Sequence, residues 1–115
     1  MANTFKVVTK AGVTTLDVIY TVAGSTTTVI LGLVLGNTTT SQVTATVTLN
    51  TDTGSRSGAN NEANQAVELI TNAPIPAGSS LELLAGNKVV LETTDEIKVS
   101  ASGATDVCLS IMEIT

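Results

Sequence analysis

The chain has 115 residues and a net charge of −5 from five basic and ten acidic side chains, enough length for one domain whose core needs no disulfide. Five scattered cations cannot neutralise a run of phosphates, which excludes nucleic acid as a partner and disfavours anionic membranes. No histidine is present, which removes the commonest general base, every Ser-His or Cys-His nucleophile pair and the commonest zinc ligand.

Charged residues make up 13% of the sequence, about half the ~25% usual for a soluble domain, and mean hydropathy is +0.37. The surface must therefore be covered by Thr, Ser and Asn, or be partly hidden by partners. Met1–Lys6 lacks the basic and apolar regions of a signal peptide, so cytosolic synthesis is expected. The longest apolar stretch, Val29–Leu35, falls far short of the roughly 20 residues that cross a bilayer.

The first predicted strand is Phe5–Thr9, turned by Ala11-Gly12. Leu16–Val22 follows, with Leu16, Val18, Tyr20 and Val22 in one phase, Asp17 and Thr21 in the other, and Ile19 breaking the polar face. Thr26–Leu35 is the most apolar strand. It carries Val29, Leu31, Leu33 and Leu35 in one phase and Ile30, Gly32, Val34 and Gly36 in the other, as a central strand would. Val43–Asn50 alternates strictly, with Val43, Ala45, Val47 and Leu49 inward and Thr44, Thr46, Thr48 and Asn50 outward. Threonine there serves strand propensity and solubility at once.

Residues 51–64 form one long irregular segment that holds the only arginine. Loops of this length in compact domains are functional or disordered, and its candidate functional side chains are Asp52, Arg56, Asn60, Asn61 and Glu62. Asp52 and Glu62 do not have the Asp-x-Asp-x-Asp-Gly spacing of a calcium loop, and Gly54–Gly58 lacks the lysine of a phosphate loop. No metal, cofactor or catalytic residue is assigned.

Val67–Thr71 is the next strand. Pro74-Ile75-Pro76-Ala77-Gly78-Ser79-Ser80 then breaks it, because two prolines remove backbone donors and Gly78 permits reversal. Leu81–Leu84, Lys88–Leu91, Glu96–Ala101 and Asp106–Ile114 follow as strands parted by turn signals every eight to ten residues. In the last strand Val107, Leu109 and Ile111 form the core face, while Cys108, Met112 and Ile114 occupy the other. That second face either lies under a loop or meets a neighbouring subunit, so these three are candidate interface residues. For Cys108 alone, a small buried hydrophobe is the expectation.

The whole pattern predicts an all-β fold. It is a single antiparallel β-sandwich domain over residues 1–115, jelly-roll-like, with eight or nine strands. Scarce charge, with Met112 and Ile114 off the core phase, predicts self-association.

The C-terminal third also carries a resemblance. Pro74–Leu84, Lys88–Glu92, Asp95–Ser102 and the closing Leu109-Ser110-Ile111-Met112-Glu113-Ile114 together resemble the endings of small tailed-bacteriophage virion proteins. Such endings run from a proline turn through strand, glycine turn and Asp-x-Ile strand to Ser-x-x-Glu-Ile. The resemblance implies a non-enzymatic β-sandwich building block of a virion, foremost a capsid decoration (cement) protein, made in the host cytoplasm. Its implied partners are itself, as a trimer at three-fold head positions, and other virion proteins such as the major capsid protein. A neck or tail-fibre accessory, or a host-receptor or glycan-binding module, is the alternative.

Overall fold

A computed structural model of the chain describes residues 2–51, 65–83 and 88–115. The described residues form nine strands: β1 (Asn3–Val13), β2 (Asp17–Thr21), β3 (Thr27–Asn37), β4 (Val43–Asn50), β5 (Ala66–Ile75), β6 (Ser80–Leu83), β7 (Val89–Leu91), β8 (Glu96–Ala101) and β9 (Thr105–Ile114). One sheet runs β1-β9-β3-β6, with β7 paired to β3 as well; the other runs β2-β8-β4-β5. Every pairing is antiparallel. This strand order is that of a jelly roll, in which a long hairpin is rolled so that its two ends alternate between facing sheets.

Alternation supplies the core. Ile30, Leu33, Leu35, Leu109 and Ile111 from the first sheet meet Val47, Ile97 and Val99 from the second, and all are fully or almost fully buried. Burying a side chain of this size contributes roughly 1.5–3 kcal/mol, so the interleaved strands are held together mainly by this layer. The rim is tied by hydrogen bonds. At the end of β3 the buried Asn37 donates through Nδ2 to the carbonyls of Ser41 (2.8 Å) and Ile75 (2.9 Å), and its Oδ1 accepts from the Thr39 amide (2.8 Å). One side chain thus pins the turn after β3 and the end of β5, which lies in the other sheet.

Three bulges overturn parts of the expected phasing. In β3 the register shifts between Ile30 and Gly32, so the inward set changes from Thr28 and Ile30 to Leu33 and Leu35. Leu31, expected inward, is the extra residue and is only half-buried. In β2 the shift falls between Val18 and Tyr20. Ile19 is buried and Tyr20 still reaches inward, whereas Val18 and Leu16 are turned out to solvent. In β1 the expected Ala11-Gly12 turn is instead a bulge between Lys10 and Val13, with Gly12 at φ 69°.

The proline segment also differs. Pro74 and Ile75 continue β5, with Pro74 opposite Thr44, and the reversal comes at 76–79, where the Ser79 amide donates to the Pro76 carbonyl. β5 is an edge strand, where a missing amide donor costs no ladder bond. Thr48, expected outward, lies between Lys98 and Glu68 in the ladders and is covered by its neighbours.

Candidate functional site

The two sheets present opposite outer surfaces. Across the β2-β8-β4-β5 sheet, Val18, Lys98, Thr48 and Glu68 stand in one row and Ser100 pairs with Thr46. An open groove of about 470 Å³ there is lined by polar groups that include Thr46, Asn50, Glu68, Asn72 and Lys98. Several are already engaged: Thr71 donates to Glu68, and the Asn72 amide donates to Thr46 Oγ1.

The outer face of the other sheet is apolar. Phe5 on β1, Met112 on β9, Val29 on β3 and Val90 on β7 are in register and make one row across four strands. Phe5 is 72% exposed and Val90 60%. The next row is Val7, Ser110 and Gly32, and the third is Thr9, Cys108, Val34 and Glu82. No charged residue stands in the first two rows. Apolar patches of this kind are unusual on monomers and mark interaction sites.

The face has relief as well as chemistry. At the Cys108 end, Gly36 and Ala11 bring little or no side chain, and a groove of about 350 Å³ opens between β1, β9 and β3. Thr9, Val34, Val107 and Cys108 line it too, with the charged Lys10 and Asp106. Phe5 and Met112 stand at the opposite end, four residues further along β9 from Cys108.

Of the sequence-predicted interface residues, Cys108 and Met112 both lie on this face. Cys108 is exposed, which corrects the expectation of a buried hydrophobe. Its neighbours Val107 and Leu109 take the core positions, so alternation sends its thiol outward. Ile114 shares the phase of Met112, sits between Asn3 and Thr27, and is half-buried. Asp52, Arg56, Asn60, Asn61 and Glu62 lie outside the described residues. Sequence reading did not find Phe5, Val7, Val29, Val34 or Val90 as part of one surface, because only the register of distant strands aligns them.

A second cluster sits at the rim between the sheets. The Tyr20 hydroxyl donates to Glu113 Oε2 (2.6 Å) and lies 2.7 Å from Thr28 Oγ1, while Lys6 Nζ is 2.7 Å from Glu113 Oε1. With the phenol proton given to Glu113, Thr28 supplies the hydrogen of its own contact. Burial, and then the bond to Glu113, push the Tyr20 phenol up to about 12. The Lys6 ammonium, with the Tyr20 hydroxyl second, holds the Glu113 carboxyl below its usual range. These shifts keep tyrosine neutral and glutamate ionised at neutral pH, the opposite of a poised acid or base, and the cluster is a structural clasp. Among the described residues, no three Cys, Asp or Glu side chains converge as a metal site requires.

No protein-family model matches the chain, and no curated protein does. One solved structure, of a Bacillus endospore appendage protein from a family of disulfide-linked pili, aligns with a TM-score of 0.47 and 16% identity. The alignment covers 96% of this chain and 85% of that one. A likeness at that level carries no functional argument.

Proposed function

We propose that the chain is a non-enzymatic structural protein that works by assembly, and specifically a capsid decoration protein of a tailed phage. It associates with further copies of itself and docks on virion proteins such as the major capsid protein. The observation that carries the reading is the uncharged apolar outer face built on β1, β9, β3 and β7. Leaving that much hydrocarbon in water is costly for a free monomer and useful only if a protein surface covers it. The phage setting rests on the resemblance of the C-terminal third, together with a jelly roll, a fold that virion shells use widely.

The test is sedimentation of the purified chain with phage heads stripped of accessory proteins, and separately with tails. Saturable binding to heads is expected. Binding to tails alone would move the protein to a neck or tail-fibre role. A host-receptor or glycan-binding role would use the polar groove on the other sheet, and a glycan array hit abolished by Asn72→Ala would establish it.

A further inference from the structure

We infer that the apolar face is self-complementary, and that two copies pair through it about a two-fold axis with the Phe5–Met112 ridge of each seated in the Cys108 groove of the other. The inference rests on the assembly reading above and replaces the expected trimer with a dimer. A two-fold contact must bring a surface against itself, so each feature on it needs its complement on the same face. The ridge row (Phe5, Met112, Val29) and the groove row (Thr9, Cys108, Val34) lie equally far on either side of the Val7–Ser110–Gly32 row. Two residues of β9 separate each from Ser110. An axis lying in the interface along that middle row, perpendicular to the strands, exchanges ridge and groove. Met112 of one copy then comes over Cys108 of the other, Val29 over Val34, and Phe5 over Thr9.

The small side chains fall where the geometry needs them. Gly32 and Ser110 lie near the axis, where the two sheets approach most closely, and Gly36 leaves the groove open. An axis along the strands would instead press the Phe5–Met112–Val29 row of one copy against the same row of the other and leave both grooves empty. Charge does not oppose the pairing at the ridge and middle rows, which are uncharged. At the groove, Asp106 accepts from the Gly12 amide (2.9 Å), Lys10 of opposite charge shares the lining, and Glu82 stands on β6 at the sheet edge. With strands about 4.8 Å apart and a rise of about 3.3 Å per residue, the face measures about 20 by 25 Å. Two such faces bury about 1,000 Å², the size of a weak, concentration-dependent dimer contact. The occupant that fits on shape, charge and area is a second copy of this chain.

Three proteins test this by analytical ultracentrifugation: the wild type, Phe5→Ala to remove part of the ridge, and Gly36→Leu to fill the groove. A Cβ at Gly36 meets only the Asp106 carbonyl oxygen, at 4.0 Å, and Phe5 is mostly exposed, so both variants keep the fold, checked by circular dichroism and thermal unfolding. The wild type is expected to be dimeric at high micromolar concentration, and each variant to dimerise about tenfold or more less tightly. Mixing the variants gives a heterodimer with one unaltered ridge-in-groove half; because Phe5 lies over Thr9 and not over Gly36, its affinity should fall between those of the two homodimers. The Cys108 thiol should react with a maleimide more slowly in the wild-type dimer than after dilution to monomer. A monomeric wild type, or variants that associate like it, would each overturn the pairing. The head-binding assay is independent: a dimer that ignores heads leaves the pairing standing and removes the decoration role, and a monomer that binds heads does the reverse.

Discussion

At the scale of single residues, Asn37 and the Tyr20 clasp hold the two sheets in their relative position. Asn37→Asp keeps the size of the side chain but replaces its donor with an acceptor facing the carbonyls of Ser41 and Ile75. Each buried carbonyl left without a partner costs about 1–3 kcal/mol, so a loss of about 3 kcal/mol is expected in urea unfolding. Tyr20→Phe removes a bond to an ionised acceptor and should cost about 1.5 kcal/mol. The clasp also sets pH limits. Glu113 titrates lower when folded, so its contribution is present above the unfolded carboxylate value and is lost as pH falls through the lower folded value. Tyr20 titrates higher when folded, so its contribution is complete below pH 10.0 and is lost as pH rises toward about 12. Unfolding midpoints measured across pH should therefore fall at both ends, and Tyr20→Phe should remove the alkaline fall.

At the scale of elements, β1 is an edge strand of 11 residues, unpaired on one side among the described residues, which invites another chain to add to it. Lys6 and Lys10 stand on the core-facing phase of this edge, held out by Glu113 at 2.7 Å and Asp17 at 3.5 Å. Inward-pointing charge is a known defence against edge pairing. Replacing both lysines with valine should leave the chain folded but prone to fibrous aggregates, seen as rising light scattering, while the wild type stays clear. The sequence showed elements better than faces. β4 and β8 begin and end where alternation predicts. The errors fall at bulges, where one extra residue reverses the parity of everything beyond it. Gly12, and the apolar Ile19 on an otherwise polar phase, each leave a trace of a bulge in the sequence, but Leu31 is an ordinary strand residue and leaves none. Cys108 and Met112 were legible as off-core because Val107, Leu109 and Ile111 alternate so regularly. Their alignment with Phe5 and Val29 was not, since it depends on register between strands about a hundred residues apart in the chain.

At the scale of the molecule, the division of labour between outer faces is the main feature, one threonine-rich and polar, the other apolar. Because the ridge and middle rows of the apolar face carry no charge, self-association should depend only weakly on ionic strength, through Lys10, Asp106 and Glu82 at the groove end, and a dimerisation constant that changes steeply between low and high salt would argue for a different contact. A further consequence comes from where β9 lies. It is the last strand in the sequence, yet it is inserted between β1 and β3. Until the ribosome has made Thr105–Ile114, β1 and β3 share no neighbour, and their sheet is in two pieces. Cys108, Ser110 and Met112 arrive only with that strand, so a nascent chain has no completed surface to offer a neighbour emerging from the same messenger. Assembly is thereby deferred until synthesis of the domain is over. A chain stopped after residue 103 should show no cooperative unfolding transition, whereas residues 1–115 should show one.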